Sequence, residues 1–339
     1  MRARSADQLA ATEAWFLQHG LSYFVPEERA AARAALRPGR ALPLLFLVLL
    51  VAAALGGLLG WLSHQVSAAP ALWLTLAVLA GVGYAATALH ARPILGWALT
   101  RTFSSLRLLL STASRALPLL LVFVTFLFIN AEAWEMTSSL PFARLWLAVL
   151  LLFGLGVVFL MVRLPEEVDR TDDAVDDAFL SRSCRGTPVE QPCADLLADS
   201  DADPASYAEV TGFERWNLIL VLLVIQLVQV LVLVVAVFVF FLLFGSLIMI
   251  EDVQLAWTGL ESTSHVPYLD SVSAQLVKVS LFLAAFSGLY FTVSAVTDET
   301  YRNQFFAGVT DELERAVGVR AVYLALRARD LERARDRRP

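Results

Sequence analysis

Charged and amide side chains inside or beside long apolar runs are where chemistry is sought first. A charge at the centre of a bilayer costs roughly 2.5–3.5 kcal/mol on insertion scales, and such residues mark functional positions. The segment Phe128-Ile129-Asn130-Ala131-Glu132-Ala133-Trp134-Glu135-Met136 closes one apolar run, and Arg144 opens the next after a short turn. Glu251 and Asp252 follow the longest run, and Lys278 opens the last. Asn130, Glu132, Glu135, Glu251 and Asp252 are therefore the candidate ion-attracting or pore residues, with Arg144 and Lys278 as ion-pair candidates. A ring of carboxylates concentrates cations by focusing the field, and assembly of several copies multiplies the ring. A structural reading stands beside this one. Glu132 or Glu135 pairs with Arg144 across the turn, Lys278 snorkels to water or pairs with Glu251, and Trp134 belongs to an aromatic belt. Asn130 and Glu132 lie deepest in their run. Gln226 and Gln229 lie three apart, on one face of the longest run, and either line a polar path or join helices through amide hydrogen bonds worth about 0.6 kcal/mol each.

Other chemistries find no footing. His19, His64, His90 and His265 are scattered, with no H-E-x-x-H pair, and no G-x-S-x-G, P-loop or G-x-G-x-x-G string occurs. Cys184 and Cys193 stand nine apart with no histidine near, short of the four ligands that zinc needs, and read as free thiols of a reducing compartment. No catalytic residue, metal, cofactor or nucleic-acid partner is expected, and the chain is not expected to be an enzyme.

The elements that must position these residues are set by hydropathy. The 339-residue chain is 58% hydrophobic with a mean hydropathy of +0.65, against about 45–50% apolar in soluble globular chains. The run Leu218–Ile250 carries no charge. As a helix it rises about 50 Å against a hydrocarbon core of about 30 Å, so it must tilt, project or break near Gly245-Ser246. Six spans are predicted: Ala41–Leu62, Ala71–His90, Leu117–Met136, Phe142–Leu164, Leu218–Phe244 and Leu276–Val296. The fold class is all-α, a polytopic membrane helix bundle with helical cytoplasmic termini.

Arginines set the orientation, because basic loops stay on the cytoplasmic side. They crowd the segment before the first span, the connection holding Arg92, Arg101, Arg107 and Arg115, and the tail after the last span, and are missing from 63–70 and 251–275. Both termini are thus expected in the cytoplasm of a plasma-membrane protein. Residues 1–40 read as a helical N-terminal segment, 41–164 as spans one to four, 165–215 as an acidic cytoplasmic loop, mostly disordered or loosely packed, 216–296 as spans five and six, and 297–339 as a cytoplasmic C-terminal helix. In the first segment Ser5-Ala6-Asp7-Gln8 suits a capping box and Pro26-Glu27-Glu28 a second helix start. An aromatic cluster, Trp15, Phe16, Tyr23 and Phe24, lies at the junction. Small-residue rows, Ala52/Gly56/Gly60 and Ser280/Ala284/Gly288, allow close helix packing, in one chain or between copies.

Three strings, Trp15-Phe16-Leu17-Gln18-His19-Gly20-Leu21-Ser22-Tyr23-Phe24-Val25, Phe128-Ile129-Asn130-Ala131-Glu132-Ala133-Trp134 and Ala316-Val317-Gly318-Val319-Arg320-Ala321-Val322-Tyr323-Leu324, resemble stretches of uncharacterised multi-pass integral membrane proteins of actinobacteria. The resemblance implies a plasma-membrane protein and brings no activity, ligand or site. The preference for arginine over lysine, with abundant Ala, Leu and Val, fits a GC-rich bacterial genome. The function expected is that of an oligomeric cation channel or transporter with an acidic outer mouth; the alternative is a non-enzymatic membrane scaffold or assembly protein acting on a soluble partner through its cytoplasmic helices. Lipid and a second copy of the chain are the other expected partners. The topology is checked with reporter fusions: tags at residues 1 and 339 should report the same, cytoplasmic compartment, and opposite compartments would remove the outer mouth.

Overall fold

The computed structural model describes residues 2–89, 91–100, 122, 124–199, 202–266, 269–297 and 299–335. Among them the chain is almost wholly helical, and five helices are long and apolar enough to cross a membrane. These are α3 (Pro38–Ser63), α4 (Ala68–Thr87), α6 (Phe142–Asp173), α9 (Gly212–Ile248) and α11 (Ala274–Thr297). The remaining helices are α1 (Arg2–Gln18), α2 (Pro26–Ala35), α5 (Ala131–Ser139), α7 (Asp177–Ser183), α8 (Glu190–Leu197), α10 (Glu251–Thr258) and α12 (Glu299–Arg335). A small antiparallel hairpin, β1 (His265–Val266) with β2 (Leu269–Ser273), is the one sheet described. We call the end of the bundle that carries α1, α2, α7, α8 and α12 the base, and the end that carries α5, α10 and the hairpin the tip.

The third predicted span needs correction where it is described. Its residues 117–121 lie outside the described set. The helical residues 124–128 stop at Ile129, and a new helix starts at Ala131. Asn130 makes the break: its Oδ1 accepts from the Ala133 N–H at 3.1 Å, the role of an N-cap. Glu132 and Glu135 therefore ride on a short cap helix at the tip rather than inside a span. Trp134 is wholly buried there and donates its Nε1–H to Phe128 O at 2.8 Å. Phe128 in turn stacks on Phe241 of α9 with ring centroids 4.8 Å apart.

The two small-residue rows do their packing inside the chain. A Cβ on Gly56 would stand 2.6 Å from Ala69 O, and one on Gly60 3.2 Å from Ala69 Cβ, so the row lets α3 and α4 close as a hairpin. Gly288 of α11 takes Val234 of α9 where a side chain would otherwise sit, and Gly245 of α9 takes Leu276 and Phe128. The uncharged run does not break at Gly245-Ser246. α9 stays helical through Ile248 and extends about 55 Å, so it projects beyond a ~30 Å core.

The acidic segment 165–215 is the largest departure from expectation. It is packed rather than disordered. α6 continues past Leu164 through Pro165 to Asp173, supported by Arg163–Glu166, Arg163–Glu167 (2.9 Å) and Arg170–Glu167 (3.3 Å) pairs along its polar face. Phe179, Leu180, Val189, Leu196 and Val210 then join one core with the N-terminal aromatic cluster and Leu313, Val317 and Val322 of α12. Gly318 permits the approach, since a Cβ there would meet Ser183 of α7. The few apolar residues of the segment suffice because α12 covers them.

Candidate functional site

At the base, three cationic and anionic side chains meet at the foot of α9. Thr211 is extended and Gly212 takes a positive φ of 60°, which turns the chain into the helix. That places Glu214 in the first turn, where the helix dipole favours an anion. Its Oε2 accepts from Arg320 Nε at 2.6 Å, and its Oε1 takes Arg29 Nη2 at 2.6 Å. Arg320 also donates to Tyr207 O at 2.8 Å, and Arg29 to Phe24 O at 3.2 Å. The Glu214 and Arg320 side chains are 7% and 8% exposed. One turn higher, Asn217 accepts the Tyr23 N–H on Oδ1 (2.7 Å) and donates Nδ2–H to Gly20 O (2.9 Å), with no exposure at all. Glu214 and Asn217 thereby bind the N-terminal segment, the acidic segment and α12 to one long apolar helix.

Further contacts close the base. Phe16 meets the Tyr323 ring edge-on at 5.5 Å, and Tyr323 donates its hydroxyl to Glu13 at 2.6 Å. Burial and that carboxylate push the Tyr323 hydroxyl up to about 12. Asp169 pairs with Arg215 (2.9 Å), Asp172 accepts the Val210 N–H, and Arg329 pairs with Asp199. Cys184 and Cys193 are both buried and free. The hydrogen bond between them and burial hold the Cys184 thiol well above its ordinary range, so it stays protonated. A small crevice lies beside this junction, lined by Leu222 and Ile225 with Trp15, His19, Trp97 and Glu312.

The residues singled out from the sequence lie elsewhere. At the tip, α5 packs beside α10, with Trp134 and Trp257 ring centroids 6.2 Å apart. The two acid-bearing helices are thus neighbours. Glu132, Glu135, Glu251 and Asp252 are all exposed, Asn130 is the N-cap, and Thr263 donates to Glu251 at 2.5 Å. Among the described residues no ion pair includes these acids, Arg144 or Lys278. Lys278 instead donates to Ser138 O (3.0 Å) and Leu140 O (2.7 Å), the carbonyls left open where α5 ends. Gln226 is wholly buried with neither amide atom bonded, and Gln229 Oε1 also lacks a partner. Gln226 therefore does not join helices through its amide in the way such residues often do. Among the described residues no three His, Cys, Asp or Glu side chains gather to hold a metal ion.

Sequence reading missed the Glu214–Arg320–Arg29 cluster. A signal was present: Arg320 is the one charge between Ala316 and Leu326, in a run otherwise small, apolar or aromatic. Its partner is 106 residues away, and nothing local names it. Comparisons with protein-family models, with curated proteins and with solved structures find no match to the chain.

Removing one partner of a buried ion pair strands the other and costs about 3–5 kcal/mol. Arg320→Met should therefore lower the thermal midpoint of the detergent-solubilised protein sharply. The double variant Arg320→Met/Glu214→Leu should recover part of that loss, since the buried carboxylate is gone and the only guanidinium left without it, Arg29, is partly exposed. Both are read by intrinsic fluorescence on heating.

Proposed function

We propose that this chain is a multi-pass plasma-membrane protein that works as a non-enzymatic platform, presenting a rigid cytoplasmic body to a soluble partner. The observation that carries this reading is the buried Glu214–Arg320–Arg29 cluster. Three segments far apart in sequence are fixed through it to the foot of a transmembrane helix. A flexible loop and tail would serve a pore as well. A packed body tied at that depth serves an assembly that must keep its orientation to the membrane. The arginine-rich ends meet at the base, and Phe16 touches Tyr323 there, so we place both termini in the cytoplasm. Ile94 belongs to the base core and Phe128 to the tip core, and on this reading the chain crosses a sixth time between them. A second copy remains a proposed partner. Both small-residue rows are occupied within the chain, so that contact falls to the exposed face of α3, where Phe46 and Leu50 point outward.

The transport reading keeps one specific observation. Gln226 lies about 15 Å along α9 from Trp216, near mid-span, with an unsatisfied amide. An unpaired amide in hydrocarbon costs several kcal/mol, and hydration along a path would satisfy it. Liposome flux separates the two. The purified protein should pass potassium no faster than empty vesicles, and a photo-crosslinker at Tyr207 or Leu331 should give discrete protein adducts in cells that one at Val66 does not. Flux above background that falls in Gln226→Leu would replace the platform with a conduction path.

A further inference from the structure

Where α2 runs into α3, the end of α4 is bonded to it. Tyr84 Oη donates to Ala35 O at 2.9 Å, and Tyr23 Oη to Leu89 O at 2.7 Å. Arg37 follows Ala35 by two residues and Arg92 follows Leu89 by three, so each arginine lies within a turn of one of these bonds, and both are exposed. Arg33, one turn before Arg37, lies over the Phe213 ring of α9 at 5.2 Å. One turn further on, Leu36 at the C-cap of α2 and Trp216 on α9 are 47% and 57% exposed. The nearest buried carboxylate, Glu214, is already taken by Arg29 and Arg320. Among the described residues no ion pair includes Arg33, Arg37 or Arg92.

We propose that Arg33, Arg37 and Arg92, with Leu36 and Trp216, form a ledge that binds anionic phospholipid headgroups at the base of the bundle. Guanidinium groups are the bidentate partners of phosphate oxygens. An indole and an aliphatic side chain at the same level are what the boundary between headgroups and acyl chains accepts. Basic pockets between helices on the cytoplasmic side hold such headgroups, and each arginine near the surface adds about five-fold in affinity. The ledge also suits the platform, because it fixes the body's height against the leaflet. This inference rests on the membrane-embedded, base-inward reading.

The test uses the full chain in vesicles and in detergent. Native mass spectrometry counts phosphatidylglycerol against phosphatidylcholine retained from an equal mixture. Wild type should prefer phosphatidylglycerol, and Arg33→Gln/Arg37→Gln/Arg92→Gln should lose about five-fold for each guanidinium removed. The corresponding triple lysine variant should keep most of the preference, and Arg182→Gln/Arg185→Gln should keep all of it. An unchanged preference in the glutamine variant, loss in the lysine variant, or displacement of the lipid by millimolar inorganic phosphate would each overturn the ledge. Wild type that floats with alkaline-washed vesicles but shows no headgroup preference removes the ledge alone. Wild type that does not float removes the membrane reading and the ledge with it.

Discussion

A carboxylate buried at the foot of a helix long and apolar enough to cross a membrane must be neutralised, and that requirement organises the base of this protein. Glu214 is 5% exposed. Its Arg320 partner comes from the C-terminal helix and its Arg29 partner from the N-terminal one, while Arg320 also ties down the backbone at Tyr207. Separately, none of these segments holds enough apolar surface for a core of its own. Together they enclose Phe16, Phe24, Leu180, Leu196 and Val317. Replacing the ions with apolar groups of similar volume is often neutral or stabilising, so the cluster's contribution is the fixed register it gives to three segments rather than raw stability.

The two ends of the bundle are built on different principles. The tip is held by aromatic stacking and close approach, with Phe128 on Phe241, Trp134 on Phe128 and Leu276 over Gly245. Its polar groups mostly finish helices: Asn130 begins α5, the Lys278 ammonium closes it, and Ser273 Oγ accepts the Leu276 N–H in the first turn of α11. The base is held by charge and buried amide bonds. α9 belongs to both, and its length lets one rigid rod link them.

Five long apolar helices were legible because hydropathy writes a signal that adds residue by residue along the chain. α3, α4, α6, α9 and α11 follow the apolar runs closely. Three features were not legible. Asn130 in an apolar run reads equally as a deep polar residue and as a cap, and only the turn at Ile129 decides. The acidic segment has the composition of a solvated linker; Phe179, Leu180 and Leu196 count as a core only once α12, more than a hundred residues on, is laid over them. Arg320 looks like one of many tail arginines until Glu214 is placed beside it. The acids at the tip were found as neighbours on α5 and α10, yet each is exposed, so their proximity in sequence to apolar runs carried less meaning than their chemistry suggested.

Hydrogen exchange of the full-length protein in detergent, read by mass spectrometry, tests the central claim most directly. The amides of 313–325 in α12 should exchange as slowly as those of 214–222 in α9. Arg320→Met should speed both, together with 177–196, while 131–139 at the tip stays as in wild type. Exchange of 313–325 within seconds in the wild-type protein would show an independent tail and contradict the account.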